Sequence, residues 1–186
     1  NWELIAVDDH STDQSRSLLL QLAGKDPRIR LVPNAGRGII PALRTALSQS
    51  KGQLISRMDS DDRAYPQRLA LQVAFLDQNP DYGAVAGRVR HVGDPGWTEG
   101  FRRFVQWSNS LLSYEDIYYR RFIEAPLVNP TAMWRRQTME QHGLYKQGDF
   151  PEDYEMWLRW LDAGVRIAKV PEVVLDWNDS PGRLTR

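Results

Sequence analysis

Two short acidic runs carry the strongest chemical signal in this sequence, Asp8-Asp9 and Asp59-Ser60-Asp61-Asp62. Each follows an apolar stretch of strand type, residues 4–7 and 53–58. Were both strand ends to lie on one rim of a sheet, five carboxylates would converge there and repel one another strongly without compensation. Such a gathering suits a hard divalent cation, Mn²⁺ or Mg²⁺. An ion of that kind takes one or two protein carboxylates and fills its remaining positions with water and phosphate oxygens. The chemistry anticipated is that of a nucleoside diphosphate site. The competing reading of Asp59-Ser60-Asp61 is a plain turn, because Asp and Ser start turns and cap helices. Three features weigh against it: the acids follow a buried-type strand, the helix they could cap starts later at Pro66, and a second acidic strand end accompanies them. For Asp8-Asp9, Ser11 is the better cap of the next helix, which leaves the pair without an evident structural task.

The elements that must position these acids are legible from periodicity. Residues 4–7 form a nearly continuous apolar run, as a strand buried on both faces does. Ser11 and Gln14 then match a capping box ahead of Leu18, Leu19 and Leu22, and Gly24 closes that helix. Residues 28–32 read as a second strand. The turn Asn34-Ala35-Gly36-Arg37-Gly38 follows, and then a helix through Ile40, Leu43, Ala46 and Leu47. A third strand, 53–58, ends in the second acidic run, and Pro66 opens a helix with Leu69, Val73 and Leu76 on one face. Further on, the pattern predicts a strand at 83–89, a loop over 91–107, a helix at 111–122, a strand at 132–134 and a helix at 152–163. Strands alternating with helices predict an α/β, Rossmann-like fold, with a mostly parallel sheet flanked by helices. Ligands of such sheets bind beyond the carboxyl ends of the strands, where both acidic runs fall.

Bulk properties narrow the class. The 186 residues fit one domain, 1–186, and a chain of this size buries roughly 70% of the surface its unfolded form exposes. Hydrophobic residues make up 41% and charged residues 26%, and the formal net charge is zero, as for a soluble globular protein with no nucleic-acid partner. The absence of cysteine excludes disulfides, thiolate nucleophiles and Cys-ligated zinc. His10, His91 and His142 show no ligand spacing, so a metal is expected on oxygen. No apolar run approaches the ~18 residues needed to span a bilayer, and the amino end has no basic region followed by an apolar one.

Five segments together resemble glycosyltransferase family 2. Val7-Asp8-Asp9-His10-Ser11-Thr12-Asp13 is similar to the family's VDDGSTD signature, and Met58-Asp59-Ser60-Asp61-Asp62 to its DADD metal motif. Asn34-x-Gly36-Arg37-Gly38 with Ala42 and Ala46 resembles N-x-G-x-x-x-A-x-N, although Arg44 or Thr45 stands where an Asn is common. Residues 129–135, NPTAMWR, resemble HPTVMFRR, and residues 150–159, FPEDYEMWLR, resemble AEDYDLWLRL. The resemblance implies a GT-A fold, a nucleotide-sugar donor with a UDP-sugar favoured, Mn²⁺ or Mg²⁺, and inversion at the anomeric carbon. The acceptor would be a saccharide, a lipid-linked molecule or another hydroxyl compound. The location implied is the cytoplasm, with peripheral association at the inner face of the membrane where a lipid-linked acceptor is met.

Carried over residue by residue, the resemblance gives Asp8 or Asp9 to the base or ribose, Asp61 to the metal and Asp59 to the ribose or metal side. The catalytic base falls on Asp153, with Glu152 beside it. The residues themselves place Glu152 and Asp153 in the first turn of an amphipathic helix whose apolar side holds Tyr154, Trp157, Leu158 and Leu161. The helix dipole favours negative charge there, so the pair could simply stabilise the helix or stay ionised to take up a proton. Arg37 could meet phosphate from its glycine-rich turn or merely occupy a surface loop. Trp107, Trp157, Trp160 and Trp177 could stack on sugar or fill a core. The tail from Trp177 to Thr185 resembles W-x-x-x-P-x-R-L-S, which implies a role for Arg183 in neutralising the diphosphate.

Family members ordinarily begin with a strand, a turn resembling VSVIIPVYNE and a helix. The sequence opens after that point, so the full protein is expected to carry these elements before Asn1. A sugar nucleotidyltransferase is a second reading, but the glycine-rich loop with Arg and Lys that it needs after the first strand is not visible. A third is a nucleotide-sugar-binding domain without turnover. A phospho-acceptor signalling domain would need a Lys at a strand end, and none stands there.

Overall fold

The computed structural model describes residues 1–93 and 99–179. They form two compact units, one of residues 1–53 with 145–152 and one of residues 54–144 with the chain from 153 onward.

The first unit is built on two parallel strands, β1 (Leu4–Asp8) and β2 (Ile29–Pro33), joined by helix α1 (Ser15–Lys25). After β2, Gly38 turns the chain into α2 (Ile39–Gln49) with φ of 87°, a left-handed conformation that costs glycine little. The Ser11–Gln14 capping box does not form. Gln14 is itself the residue before the helix and makes no side-chain cap, while Asp13 accepts the Ser15 amide at 2.9 Å. Ser11 is drawn instead to Asp8, a competition that the pattern of residue types alone does not show.

The second unit holds a five-stranded sheet in the order β3-β6-β5-β7-β4. Its strands are β3 (Leu54–Ser56), β4 (Arg63–Ala64), β5 (Tyr82–Gly93), β6 (Met133–Arg135) and β7 (Arg166–Asp179). Its helices are α3 (Arg68–Gln78), α4 (Glu99–Ser110), α5 (Tyr114–Arg120), α6 (Arg136–His142) and α7 (Glu152–Asp162). The parallel pairing expected from the sequence accounts for the two long ladders, β1–β2 and β5–β7. The short strands β3, β4 and β6 join antiparallel and make this sheet mixed.

Two differences from the sequence pattern have clear causes. The 14-residue β7 passes straight through Pro171, which would stop a strand that needed that amide. The β5–β7 register jumps there, from Gly87 opposite Val170 to Arg88 opposite Val173, so Pro171 and Glu172 bulge out exposed and owe no ladder bond. Second, much of the loop expected over 91–107 is ordered. β5 runs on to Gly93, and α4 sets Phe101, Phe104, Val105 and Ser108 along its inner face while Arg102 and Arg103 pair with Glu99 outside. The helix expected from 111 is α5, which starts at Tyr114 because Ser113 and Asp116 form a true capping box.

Burial settles the tryptophans. Trp134, Trp157 and Trp160 are fully buried and meet edge to face at centroid distances of 5.4–6.2 Å, so Trp157 and Trp160 are core and cannot stack on a ligand. Trp177 is buried against Phe101 and Phe104, and Trp107 lies half-buried beside Phe104. A lysine shares this interior. Lys169 of β7 is buried, and its Nζ donates to the Ser108 carbonyl at 2.5 Å and to Ser108 Oγ at 2.8 Å. Burial, with a smaller push from Arg88, pulls its pKa down to about 7.

The unfolded chain therefore holds a proton on Lys169 between pH 7 and 10 that the folded chain gives up, so this residue's contribution makes stability rise with pH across that window. Denaturant titrations at pH 7 and pH 9 should show a smaller gain for Lys169→Met than for wild type, by up to about 2 kcal/mol.

Candidate active site

The first unit brings its acids to the exit of β1. Asp8 is buried and accepts the Ser11 amide and the Arg16 guanidinium, each at 3.1 Å. Asp9 is exposed and spans to the turn after β2, where its two oxygens accept Asn34 Nδ2 at 2.7 Å and the Gly38 amide at 2.9 Å. The buried Asn34 braces the same turn by accepting the Gly36 amide, and His10, held at φ of 60°, meets the Gly36 carbonyl at 3.0 Å. The expectation that Asp8 and Asp9 have no structural task is therefore corrected: each organises a strand-end turn. These bonds hold both carboxyls below the ordinary range, Asp8 through Ser11 and then Arg16, Asp9 through Asn34 and then Gly38. A carboxylate offers about four lone-pair sites, so Asp9 keeps acceptor capacity beyond its two bonds. Where an Asn was anticipated, Thr45 Oγ1 accepts the Ala35 amide, and Arg44 turns to the Tyr145 carbonyl. Arg37 is exposed on this turn.

The second unit gathers the other acids just beyond β3. Carboxylate oxygens of Asp59, Asp61 and Asp62 all lie within 4.8 Å of one another. Each is fixed differently. Asp59 takes Arg57 Nη1 at 2.6 Å, Asp62 accepts the Asn178 amide of β7 at 2.9 Å, and the Asp61 carbonyl accepts Asn178 Nδ2, which leaves the exposed Asp61 side chain pointing outward. Beneath the turn lies Arg68, 2% exposed, donating to the Arg57 carbonyl at 2.6 Å, Ser56 Oγ and Gln72 Oε1. Gln72 in turn donates to the Val85 and Thr131 carbonyls. Farther along β7, buried Asp176 accepts both Arg90 and the Tyr65 hydroxyl and pins β5 to the segment before α3.

Asp153 sits in the first turn of α7, half-buried, with Oδ1 accepting its neighbour's amide at 2.8 Å; Glu152 precedes it. The Tyr154 hydroxyl donates to the Arg121 carbonyl at 2.7 Å and ties this turn to the end of α5. One strand supports both α7 and the acidic turn. β6 carries Trp134, against which Trp157 and Trp160 pack, and pairs with β3, while the Arg57 amide donates to the Ala132 carbonyl just ahead of it. Arg183 lies outside the described residues. Arg57, Arg68 and Asn178 were given no role from the sequence, and Asp62 was read there only as part of the acidic run. The two arginines read as ordinary strand and helix residues, and Asn178 is remote in the chain from the turn it holds.

The glycosyl transferase family 2 model matches residues 1–143. The chain belongs to glycosyl transferase family 2. Among its relatives in the family is an uncharacterized glycosyltransferase of Haemophilus influenzae, 29% identical over 185 residues, which are 95% of this chain and 56% of that protein. A shorter match, 36% identical over 80 residues, covers 42% of this chain and 31% of WfgD of Escherichia coli, a UDP-Glc:α-D-GlcNAc-diphosphoundecaprenol β-1,3-glucosyltransferase. Two solved structures share the fold. The mannosyltransferase PcManGT of Pyrobaculum calidifontis, in complex with GDP-Man and Mn²⁺, superposes with a TM-score of 0.68 at 24% identity, over 98% of this chain and 49% of that one. Staphylococcus aureus TarS, residues 1–349 in complex with UDP-GlcNAc, gives 0.72 at 18% identity over 97% and 50%. The α/β, GT-A expectation is thereby met, and the chain spans about half the length of the Haemophilus relative and of these two structures.

Replacing Asn34 by Ala removes its part-buried bonds to Asp9 and the Gly36 amide and should cost about 1 kcal/mol in chemical denaturation at pH 7. Because the folded Asp9 carboxyl titrates below its ordinary range, its stabilisation is present at neutral pH and fades as pH falls through the carboxylate range. In Asn34→Ala, NMR should therefore find Asp9 titrating at higher pH than in wild type.

Proposed function

We propose that this chain is the donor-binding and catalytic domain, residues 1–186, of a metal-dependent inverting glycosyltransferase. It moves a sugar from a nucleoside-diphosphate donor, a UDP-sugar before others, to a hydroxyl acceptor. The observation that carries the reading is the close set of Asp59, Asp61 and Asp62. Three carboxylates this near one another match the all-oxygen donor set of Mn²⁺ or Mg²⁺, whose opposite ligands stand about 4 Å apart at metal–oxygen distances of 2.0–2.1 Å. Asp61 would be the main ligand, with Asp59 on the ribose or metal side. When bound, the cation supplies charge stabilisation to the departing diphosphate. The nucleotide-sugar complexes of PcManGT and TarS, and the Mn²⁺ in the former, support the assignment, and the UDP compounds named for TarS and WfgD favour a UDP-sugar.

In this reading Asp8 and Asp9 contact the base and ribose, and Arg37 and Arg183 contact the diphosphate. Asp153, with Glu152 beside it, stays ionised under the α7 dipole and accepts the proton of the acceptor hydroxyl. The hydroxyl oxygen bonds to the anomeric carbon as the bond to the diphosphate oxygen breaks. In-line attack inverts that carbon and needs no covalent intermediate. The acceptor class includes lipid-linked saccharides, as for WfgD, which the enzyme would meet at the inner face of the membrane; among the described residues no helix is long and apolar enough to cross one.

In the full protein with Mn²⁺, UDP-sugar and acceptor, Asp153→Asn should lower nucleoside diphosphate release by about 10²–10⁴-fold and leave donor affinity unchanged. Wild-type turnover in the variant would remove Asp153 from its role. No release by the wild type with any donor would make the domain a binder.

A further inference from the structure

The turn that carries Asp59, Asp61 and Asp62 already contains a cation of its own. The guanidinium of Arg57 is almost wholly buried, and its Nη1 donates to Asp59 at 2.6 Å. The Arg57 backbone is pinned on both sides, its amide to the Ala132 carbonyl at 3.0 Å and its carbonyl to Arg68 at 2.6 Å. Its Nε is buried with no hydrogen-bond partner among the described residues, a cost that a purely stabilising ion pair has no reason to carry. Directly behind stands the second buried guanidinium, Arg68, whose pKa is pulled down to about 10 by burial and then by the Arg57 charge. Two cations are thus kept close together beneath one turn. Of these two guanidinium groups, Arg57 pairs directly with one carboxylate of the cluster, Asp59, whereas Arg68 donates to the Arg57 carbonyl, Ser56 Oγ and Gln72 Oε1.

We infer that Arg57 is a resident counter-ion that competes with the divalent cation for Asp59. The metal-free cluster then offers Asp61 and Asp62 for loading and holds the ion loosely until a diphosphate adds its own oxygens. Arg57 is a positioning residue in this scheme, and the scheme rests on the metal-dependent reading above. Its consequence is that cation and donor are retained together, because neither protein carboxylate set nor diphosphate alone completes the coordination.

Mn²⁺ titrations of the full protein without donor, followed by the electron paramagnetic resonance signal of the free ion, test the inference. Arg57→Gln should bind Mn²⁺ about tenfold more tightly than wild type, the effect of removing one nearby positive charge. Arg57→Lys, which keeps the charge, should stay within about threefold of wild type. Asp59→Asn leaves Arg57 uncompensated and should bind more weakly. Arg57→Gln combined with Asp59→Asn removes the pair as a unit, buries no lone charge, and should return to within about threefold of wild type. Circular dichroism confirms that each variant is folded. A folded Arg57→Gln no tighter than wild type, or a double variant as weak as Asp59→Asn, overturns the inference and leaves the metal-dependent reading standing. Failure of wild type to bind Mn²⁺ even when a UDP-sugar is added overturns both.

Discussion

Mutual repulsion among Asp59, Asp61 and Asp62 is the constraint to which the surrounding structure answers. Carboxylate oxygens within 4.8 Å of one another stay together only if the backbone beneath them is held rigidly. That support is spread over the second unit. β6 fixes β3 and the Arg57 amide, Arg68 and Gln72 join the turn to β5 and the segment before β6, and Asn178 holds it from β7. Apart from the bond of Arg68 to Arg57, these contacts are distant in sequence, and the sheet order makes them possible by setting β6 between β3 and β5 and β7 next to both β5 and β4.

The first unit uses its acids differently. Asp8 and Asp9 are spent partly on shaping two turns, and the glycines at 36 and 38 let the second of them close: a Cβ on Gly36 would crowd Pro41, and Gly38 takes a left-handed conformation. A side chain engaged in this way can still accept a ribose hydroxyl, because its orientation is fixed in advance by the protein and each oxygen retains a free lone pair. Structural work and ligand recognition are compatible at one carboxylate.

Much of this was legible in the sequence. The apolar runs ahead of the acids, the helical spacing from Leu69 to Leu76 and the acidic first turn of α7 depend on neighbours within a dozen residues, and periodicity reports such neighbours well. What stayed hidden depends on distant partners. β7 was not read from the sequence, and its passage through Pro171 depends on a bulge that only the pairing with β5 reveals. Asn178 gains its role from a turn more than a hundred residues earlier, and Arg57 and Arg68 take theirs from burial, which residue type argues against. The Ser11 capping box failed for the same reason in reverse, since a local motif lost its serine to Asp8.

The central claim is that these carboxylates grip a divalent cation that in turn grips a nucleoside diphosphate. Thermal unfolding of the full protein with UDP-, GDP- and dTDP-sugars, with and without Mn²⁺, tests it most directly, since a ligand that binds only the folded form raises the melting temperature. A UDP compound should give a stabilising shift that requires Mn²⁺ and disappears in Asp61→Ala. A shift of equal size without metal, or one that survives in Asp61→Ala, would contradict it.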